Sequence, residues 1–335
     1  TVLGRRRLQP LGTIPALAAW LREREIDVVL VSTHLPSMLF APPAARLAGV
    51  GGAAVGLHMI GGKRLGIRTL PRGTADMLAL VDALILLSRE QLDYMVAEEG
   101  LERFPWRRPK RAFIPNGIHV GPAPPPADTA RARESLGLDA DDLVVGTVAA
   151  LRVEKAHEVL LRAVARLAPS QPRLRAVLIG SGVREDELRA EAQALGVADR
   201  VVFAGFRADA VALLPALDVK CLTSVQETFP VSVLEAMAAA RPVVMTDCEG
   251  IPEIVLEGDT GYVVPIGDDA ALADRLATLL GDPALRARMG AAGRERAARE
   301  FPVERTLRRY EELFEWLAAR PRRRSQRNRS ATSTT

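Results

Sequence analysis

The chain has 335 residues, enough at about 150 residues per domain for two domains that each bury a core. Its composition, 48% apolar, 26% charged and 4% aromatic, excludes a largely disordered body and calls for a core built from Ala, Val and Leu. The net charge of +4 comes from the end of the chain: residues 320 to 335 carry six arginines and no acid, leaving 39 basic against 41 acidic residues, a balance that argues against nucleic acid as a partner of the body.

The first cluster, GRRR at 4–7, reads as solvated arginines, as does WRRPKR at 106–111. With the tail, these clusters confine any electrostatic partner to weak contact with an anionic membrane surface, at ~1 kcal/mol per arginine. After the helical stretch IPALAAWLRERE, apolar β-branched runs alternate with amphipathic segments of helical period. Strands are expected at 27–32 (DVVLVS), 53–58 (AAVGLH), 83–88 (ALILLS) and 111–116 (RAFIPN), with REQLDYMVAEEG helical before the last. GPAPPPADTA, 121–130, has four prolines and no apolar period and reads as a linker. Strands resume at 143–149, 175–181, 201–206, 218–224, 241–247 and 261–266. Then comes continuous helical periodicity with breaks expected at Gly281 and Gly290, and the amphipathic helix VERTLRRYEELFEWLAAR. The pattern predicts an α/β protein of two doubly wound parallel sheets covered by helices on both faces. No run approaches the ~20 apolar residues of a membrane span, and no secretory signal is visible. Cys221 and Cys248 form no CxxC or metal pattern and read as reduced buried thiols, so the expected location is cytoplasmic, peripheral at most to the inner face of the membrane.

Ligands of such sheets bind outside the carboxyl ends of the strands, so functional residues should follow strands. SVQETFPVSVLEAM, 224–237, does so and carries two carboxylates. Pro230 suits the first turn of a helix, placing Glu235 in its second turn and Glu227 in the loop before it. Both then lie near the positive end of the helix dipole, a place for an anion flanked by hydroxyls. Taken alone, the pair reads as capping and solubility acids. IPNG, LRVEK, GSG and FRAD follow other strands, and each alone is an ordinary turn. His34, His119 and His157 show no ligand spacing, which favours a metal-independent reaction.

In their order and spacing these segments resemble the donor-binding half of retaining GT-B glycosyltransferases of family 4, over about residues 25 to 318 and most specifically over 111 to 266. The resemblance implies two Rossmann-like domains facing a cleft. It divides the chain into an acceptor-side domain at 1–120, incomplete at its start, the linker at 121–130, a nucleotide-sugar donor domain at 131–302, a helix at 303–319 returning to the first domain, and a basic disordered tail at 320–335. The implied activity is that of a hexosyltransferase of EC 2.4 type, acting from a nucleoside diphosphate sugar on a sugar, lipid-linked or small-molecule acceptor, with no cofactor. Glu227 would contact the transferred sugar, Glu235 the ribose hydroxyls, and the N–H groups of Thr228 and Phe229 the diphosphate. Lys155 and Arg152 would face the developing phosphate charge, and His58 would approach the sugar from the first domain. Asn116, Gly180, Gly182, Gly205, Phe206 and Arg207 complete the implied donor site. The family's arginine stands five residues before the lysine, where this chain has Ala150, so Arg152 is a departure. The chain starts at Thr1 without the family's opening strand and Gly-rich loop. In the implied front-face mechanism the leaving phosphate oxygen takes the acceptor proton. A catalytically idle nucleotide-binding remnant and a sugar-nucleotide epimerase or phosphorylase on the same fold are the alternatives.

Overall fold

The structure, a computed structural model, describes residues 10–32, 35–58, 76, 78–101, 109–248 and 251–321. The GRRR cluster, His34, residues 106–108 and the tail beyond residue 321 lie outside them. The chain divides into two compact units, Thr1–Pro115 with Leu307–Thr335, and Asn116–Thr306.

The first unit begins with α1 (Pro10–Glu23), β1 (Val28–Ser32), α2 (Leu35–Ala48), β2 (Gly52–Gly56), β3 (Ala83–Leu86), α3 (Arg89–Ala97) and β4 (Lys110–Phe113). The second contains α4 (Pro126–Ser135), β5 (Leu143–Val148), α5 (His157–Leu167), β6 (Leu174–Ile179), α6 (Glu185–Ala194), β7 (Val201–Gly205), α7 (Ala210–Leu213), β8 (Val219–Leu222), α8 (Val231–Ala238), β9 (Val243–Thr246), β10 (Gly261–Val264), α9 (Asp269–Gly281) and α10 (Pro283–Glu300). In α11 (Val303–Ala318) the chain passes back to the first unit at Leu307. All ten expected strands form. The polar residues that end the runs, such as His58, Ser88, Asn116 and Ser224, lie in the loops after them.

In the first unit β1, β2, β3 and β4 pair in parallel in that order, and β2 and β3 are buried along their whole length. Continuous small and branched apolar runs make this possible, since strands covered on both faces have no polar side to present. One face packs under α1 and α2, where Ala18, Leu21, Met38, Ala41, Ala44 and Ala45 are buried. That burial carries α2, absent from the sequence expectation, through Pro42 and Pro43 despite their missing N–H groups. On the other face Leu313 and Leu317 of α11 join Ala54, Ala83, Ile85 and Ile114. Each leucine contributes about 1.5–3 kcal/mol by leaving water. A Cβ at Gly52 would stand 2.6 Å from that of Leu317, so this approach of helix to strand requires glycine.

In the second unit six parallel strands follow the order β10-β9-β8-β5-β6-β7, so the strand order reverses between β8 and β5. Asp218 fastens these two strands at their amino ends. Its N–H donates to the Val144 carbonyl at 2.7 Å, and its carboxylate accepts from the Val144 N–H at 2.8 Å and from Arg133 of α4 at 3.0 Å. The ladder between β5 and β8 then covers only Val145↔Val219 and Gly146↔Lys220. One face of the sheet is covered by α5 and α9 through Leu160, Leu161, Val164, Leu272, Leu276 and Leu279, while α8 packs against β8 and β9.

Three expectations change. The division falls at Pro115, and residues 121–130 are no linker: they belong to the second unit and enter α4, whose first helical residue is Pro126, where a missing N–H costs nothing. The break near Gly281 falls at Asp282, whose carboxylate caps α10 by accepting the Leu285 N–H at 2.9 Å. Gly290 breaks nothing. It lies inside α10, where a Cβ would stand 2.1 Å from the Ala240 carbonyl oxygen, and it is glycine so that the two backbones can meet. No described helix is long and apolar enough to cross a membrane.

Candidate functional site

The loops after β5 and β8 flank the reversal of strand order, which in an open parallel sheet is where ligands bind. After β5 the chain makes a 3₁₀ turn, Val153–Lys155, and then Ala156 at φ 42°, the left-handed conformation that redirects it into α5. After β8, residues 223–230 lead into α8. The two loops are joined: the Val225 N–H donates to the Glu154 carbonyl at 2.9 Å, and Thr223 Oγ1 donates to the Lys155 carbonyl at 3.1 Å. On this frame Lys155 Nζ meets Glu227 Oε1 at 2.6 Å, and Ser224 Oγ donates to the same oxygen at 2.8 Å. Among the described residues no hydrogen bond reaches Glu227 Oε2. Among these residues the carboxylate is oriented through one oxygen, and the other can accept a further donor.

Pro230 takes the N-cap position of α8, one residue earlier than expected, and makes no side-chain capping bond. The helix start thus offers N–H groups and the positive end of its dipole without a capping side chain. Thr228 and Phe229 lie buried just before it. The Phe229 ring packs edge-on to Phe301 at 5.5 Å, and its carbonyl accepts from Asn116 Nδ2 at 2.8 Å, so two of the expected donor residues brace one another. Glu235, in the second turn, lies on the wall of a cavity of about 570 Å³ with Asp209, Leu213, Ala238 and Arg294. Burial raises its pKa, with Lys220 opposing.

The remaining expected residues are spread more widely. Arg152 is largely exposed, with Glu154 its nearest acid at 4.0 Å. Gly180 and Gly182 stand against the loop after β5, where a Cβ would come within 2.0 Å of the Ala149 oxygen and 2.3 Å of the Leu151 oxygen. That crowding alone accounts for glycine at both. The Gly180 N–H donates to the carbonyl of Gly205, which has φ 66°. Phe206 beyond it is 78% exposed, and Arg207 forms a two-point pair with Asp209 at 2.8 and 2.7 Å. His58, in the first unit, follows β2 with its ring over Gly56, and burial lowers its pKa.

Two residues with no sequence signal of function stand close to this frame. His157 is buried at the start of α5, its Nδ1 3.3 Å from the Lys155 carbonyl and its Nε2 without a hydrogen-bond partner among the described residues. Burial pulls its pKa down to about 4. Lys220 is 0% exposed, and its ammonium donates to Thr147 Oγ1 at 3.2 Å and to the Cys221 carbonyl at 2.8 Å. Its only visible trace in the sequence is a lysine inside the apolar run VKCL.

Residues 128–296 match the family model described as "Glycosyl transferases group 1". The chain is 30% identical over 309 residues to the GDP-mannose-dependent monoacylated alpha-(1-6)-phosphatidylinositol monomannoside mannosyltransferase of Corynebacterium glutamicum, covering 87% of this chain and 77% of that protein. It is 34% identical over 244 residues to the D-inositol 3-phosphate glycosyltransferase of Streptomyces avermitilis, covering 67% and 50%. Of three curated relatives it spans 61%, 50% and 49% of the length. Among solved structures, Anabaena Alr3699/HepE in complex with UDP matches with a TM-score of 0.79 at 23% identity, covering 90% of this chain and 82% of that one. The fold is GT-B. With the family's defining segment falling on the unit that holds Lys155, Glu227 and Glu235, the chain belongs to the glycosyl transferases group 1 family.

Proposed function

We propose that the chain transfers a hexose from a nucleoside diphosphate sugar to an acceptor hydroxyl with retention of configuration, as a member of glycosyltransferase family 4. The observation that carries this reading is the 2.6 Å pair of Lys155 and Glu227 across the reversal of strand order, with no donor on the second oxygen of Glu227 among the described residues. Breaking a glycosidic bond to a diphosphate gathers negative charge on the leaving group, and a fixed cation placed there lowers the barrier. Lys155 is that cation. As the diphosphate arrives, Lys155 turns from Glu227 to the phosphate oxygens, and the released carboxylate accepts hydroxyls of the sugar. Arg152 adds a second, flexible guanidinium from its exposed position. The N–H groups at the start of α8 receive the diphosphate, and Glu235 accepts the ribose hydroxyls at the mouth of its cavity. No protein base is assigned, because the leaving phosphate oxygen takes the acceptor proton as the new bond forms.

The relatives' names support a transferase over an epimerase, a phosphorylase or an idle remnant. A solved neighbour in complex with UDP-glucose supports a nucleoside diphosphate sugar as donor. The test is incubation with UDP-, GDP- and ADP-hexoses in the presence of sugar and lipid-linked acceptors, following nucleotide release and the anomer formed. Glu227→Gln should keep nucleotide affinity and lose about a hundredfold in turnover, the size of one lost transition-state contact. Equal turnover in variant and parent would remove Glu227 from the reaction.

A further inference from the structure

Lys220 lies in the middle of β8, fully buried, with no carboxylate in hydrogen-bond or ion-pair contact among the described residues. A lone buried ammonium is costly, and a core position would be filled more stably by an apolar side chain. Its placement is specific. The β5–β8 ladder ends at Gly146↔Lys220, although β5 continues to Val148 and β8 to Leu222. Both acceptors of the ammonium, Thr147 Oγ1 on β5 and the Cys221 carbonyl on β8, belong to the residues one step past that last pair. The head group is therefore held on the carboxyl side of the last ladder pair, within electrostatic reach of Lys155 and Glu227 in the loops that follow the two strands. This is the floor of the crevice where an open parallel sheet takes its ligand.

We infer that Lys220 is a positioning residue of the donor site: its buried ammonium is a fixed countercharge, set between β5 and β8, against which Glu227 and Glu235 are held and the donor diphosphate is received. The inference rests on the donor-binding reading above. The charged and titratable groups that face Lys220 are Glu227 and Glu235 from the loop after β8 and from α8, Lys155 and His157 from the segment after β5, and Cys221 beside it on β8. Burial pulls its pKa down to about 8, while Cys221, Glu227 and Glu235 act to raise it and Lys155 to lower it. The ammonium is therefore present below that pH and is lost as pH rises through it. Neither the Cys221 thiol, pushed up to about 12, nor His157, at about 4, changes charge in that interval.

The test measures affinity for UDP, GDP and ADP by calorimetry between about pH 7 and 8.8, where the terminal phosphate of the nucleotide is largely ionised and the uracil and guanine N–H groups still hold their protons. In the parent, affinity for the preferred nucleotide should fall severalfold across this interval. Lys220→Met should bind about tenfold more weakly at pH 7, with a profile that is flat where the parent's falls, and should melt no lower than the parent because a buried charge has been removed. Thr147→Val keeps the lysine and removes one acceptor, so it should move the midpoint of the fall to lower pH. Parental affinity and an unchanged pH profile in Lys220→Met, or an unmoved midpoint in Thr147→Val, would overturn the inference while leaving the donor reading intact. A parent that binds none of the three nucleotides would overturn both.

Discussion

Replacing Glu235 by alanine tests the proposed ribose contact. The carboxylate stands half-buried on the wall of the cavity, one turn into α8, where it can accept both hydroxyls of a ribose. Hydrogen bonds to a charged group contribute ~1.5–3 kcal/mol, so affinity for a nucleoside diphosphate should fall about 10- to 150-fold. A second effect opposes this, because the variant also removes a negative charge from a site built for an anion. A double cycle separates the two: calorimetry of parent and Glu235→Ala with UDP and with its 2′,3′-dideoxy analogue, at pH 7.5. The parent should discriminate between the two nucleotides by the full 1.5–3 kcal/mol, and the variant should bind both alike. Loss of fold is not expected to confuse the result. Burial raises the pKa of Glu235, so whatever stability this group contributes is present at low pH and lost as pH rises through the raised value. At pH 7.5 its removal should leave the melting temperature unchanged or higher. A parent that binds both nucleotides equally, or a variant that still discriminates, would refute the ribose role.

Two further predictions concern the second unit. Gly290→Ala forces a methyl carbon against the Ala240 carbonyl, so despite the better helix propensity of alanine it should destabilise by ~1–3 kcal/mol, read as a lower urea midpoint at unchanged slope. His157, buried neutral with its pKa pulled down to about 4, contributes stability that is complete above its unfolded value of 6.5 and is lost as pH falls toward 4. The loss should reach ~3 kcal/mol, the span of the shift, and His157→Leu should flatten the acid limb of a thermal-melt series. An acid limb unchanged in the variant would show that His157 does not set it.

The ten strands were legible because parallel strands buried on both faces must be short continuous apolar runs, and DVVLVS, ALILLS and LVVGTVA are little else. That Lys155 and Glu227 belong to one site was legible only through the family resemblance, since 72 residues separate them and no local pattern brings their loops together, and their direct pairing was not foreseen. What escaped was decided by tertiary contact. Pro42 and Pro43 argue against the helix that burial sustains, and the prolines before Ala127 look like a linker until one of them is seen opening α4. Gly290 looks like a stop and is a contact point. Lys220 was invisible because a lysine in a strand ordinarily marks a solvated face, and only the short β5–β8 ladder shows where its ammonium goes.

The return of the chain to the first unit at Leu307 bears on how the protein is made. Leu313 and Leu317 complete the apolar layer over Ala54, Ala83, Ile85 and Ile114, yet about 190 residues of the other unit are translated between the two parts of that layer. At about 5–20 residues per second, the early strands wait on the order of 10–40 s on the ribosome with one face of their sheet open to water. The second unit, continuous from Asn116 to Thr306, can close its own core in that interval. The nascent first unit is then the part exposed to misfolding, and slowing translation within residues 116–306 should lengthen that exposure and lower the yield of native protein without changing a single contact in it.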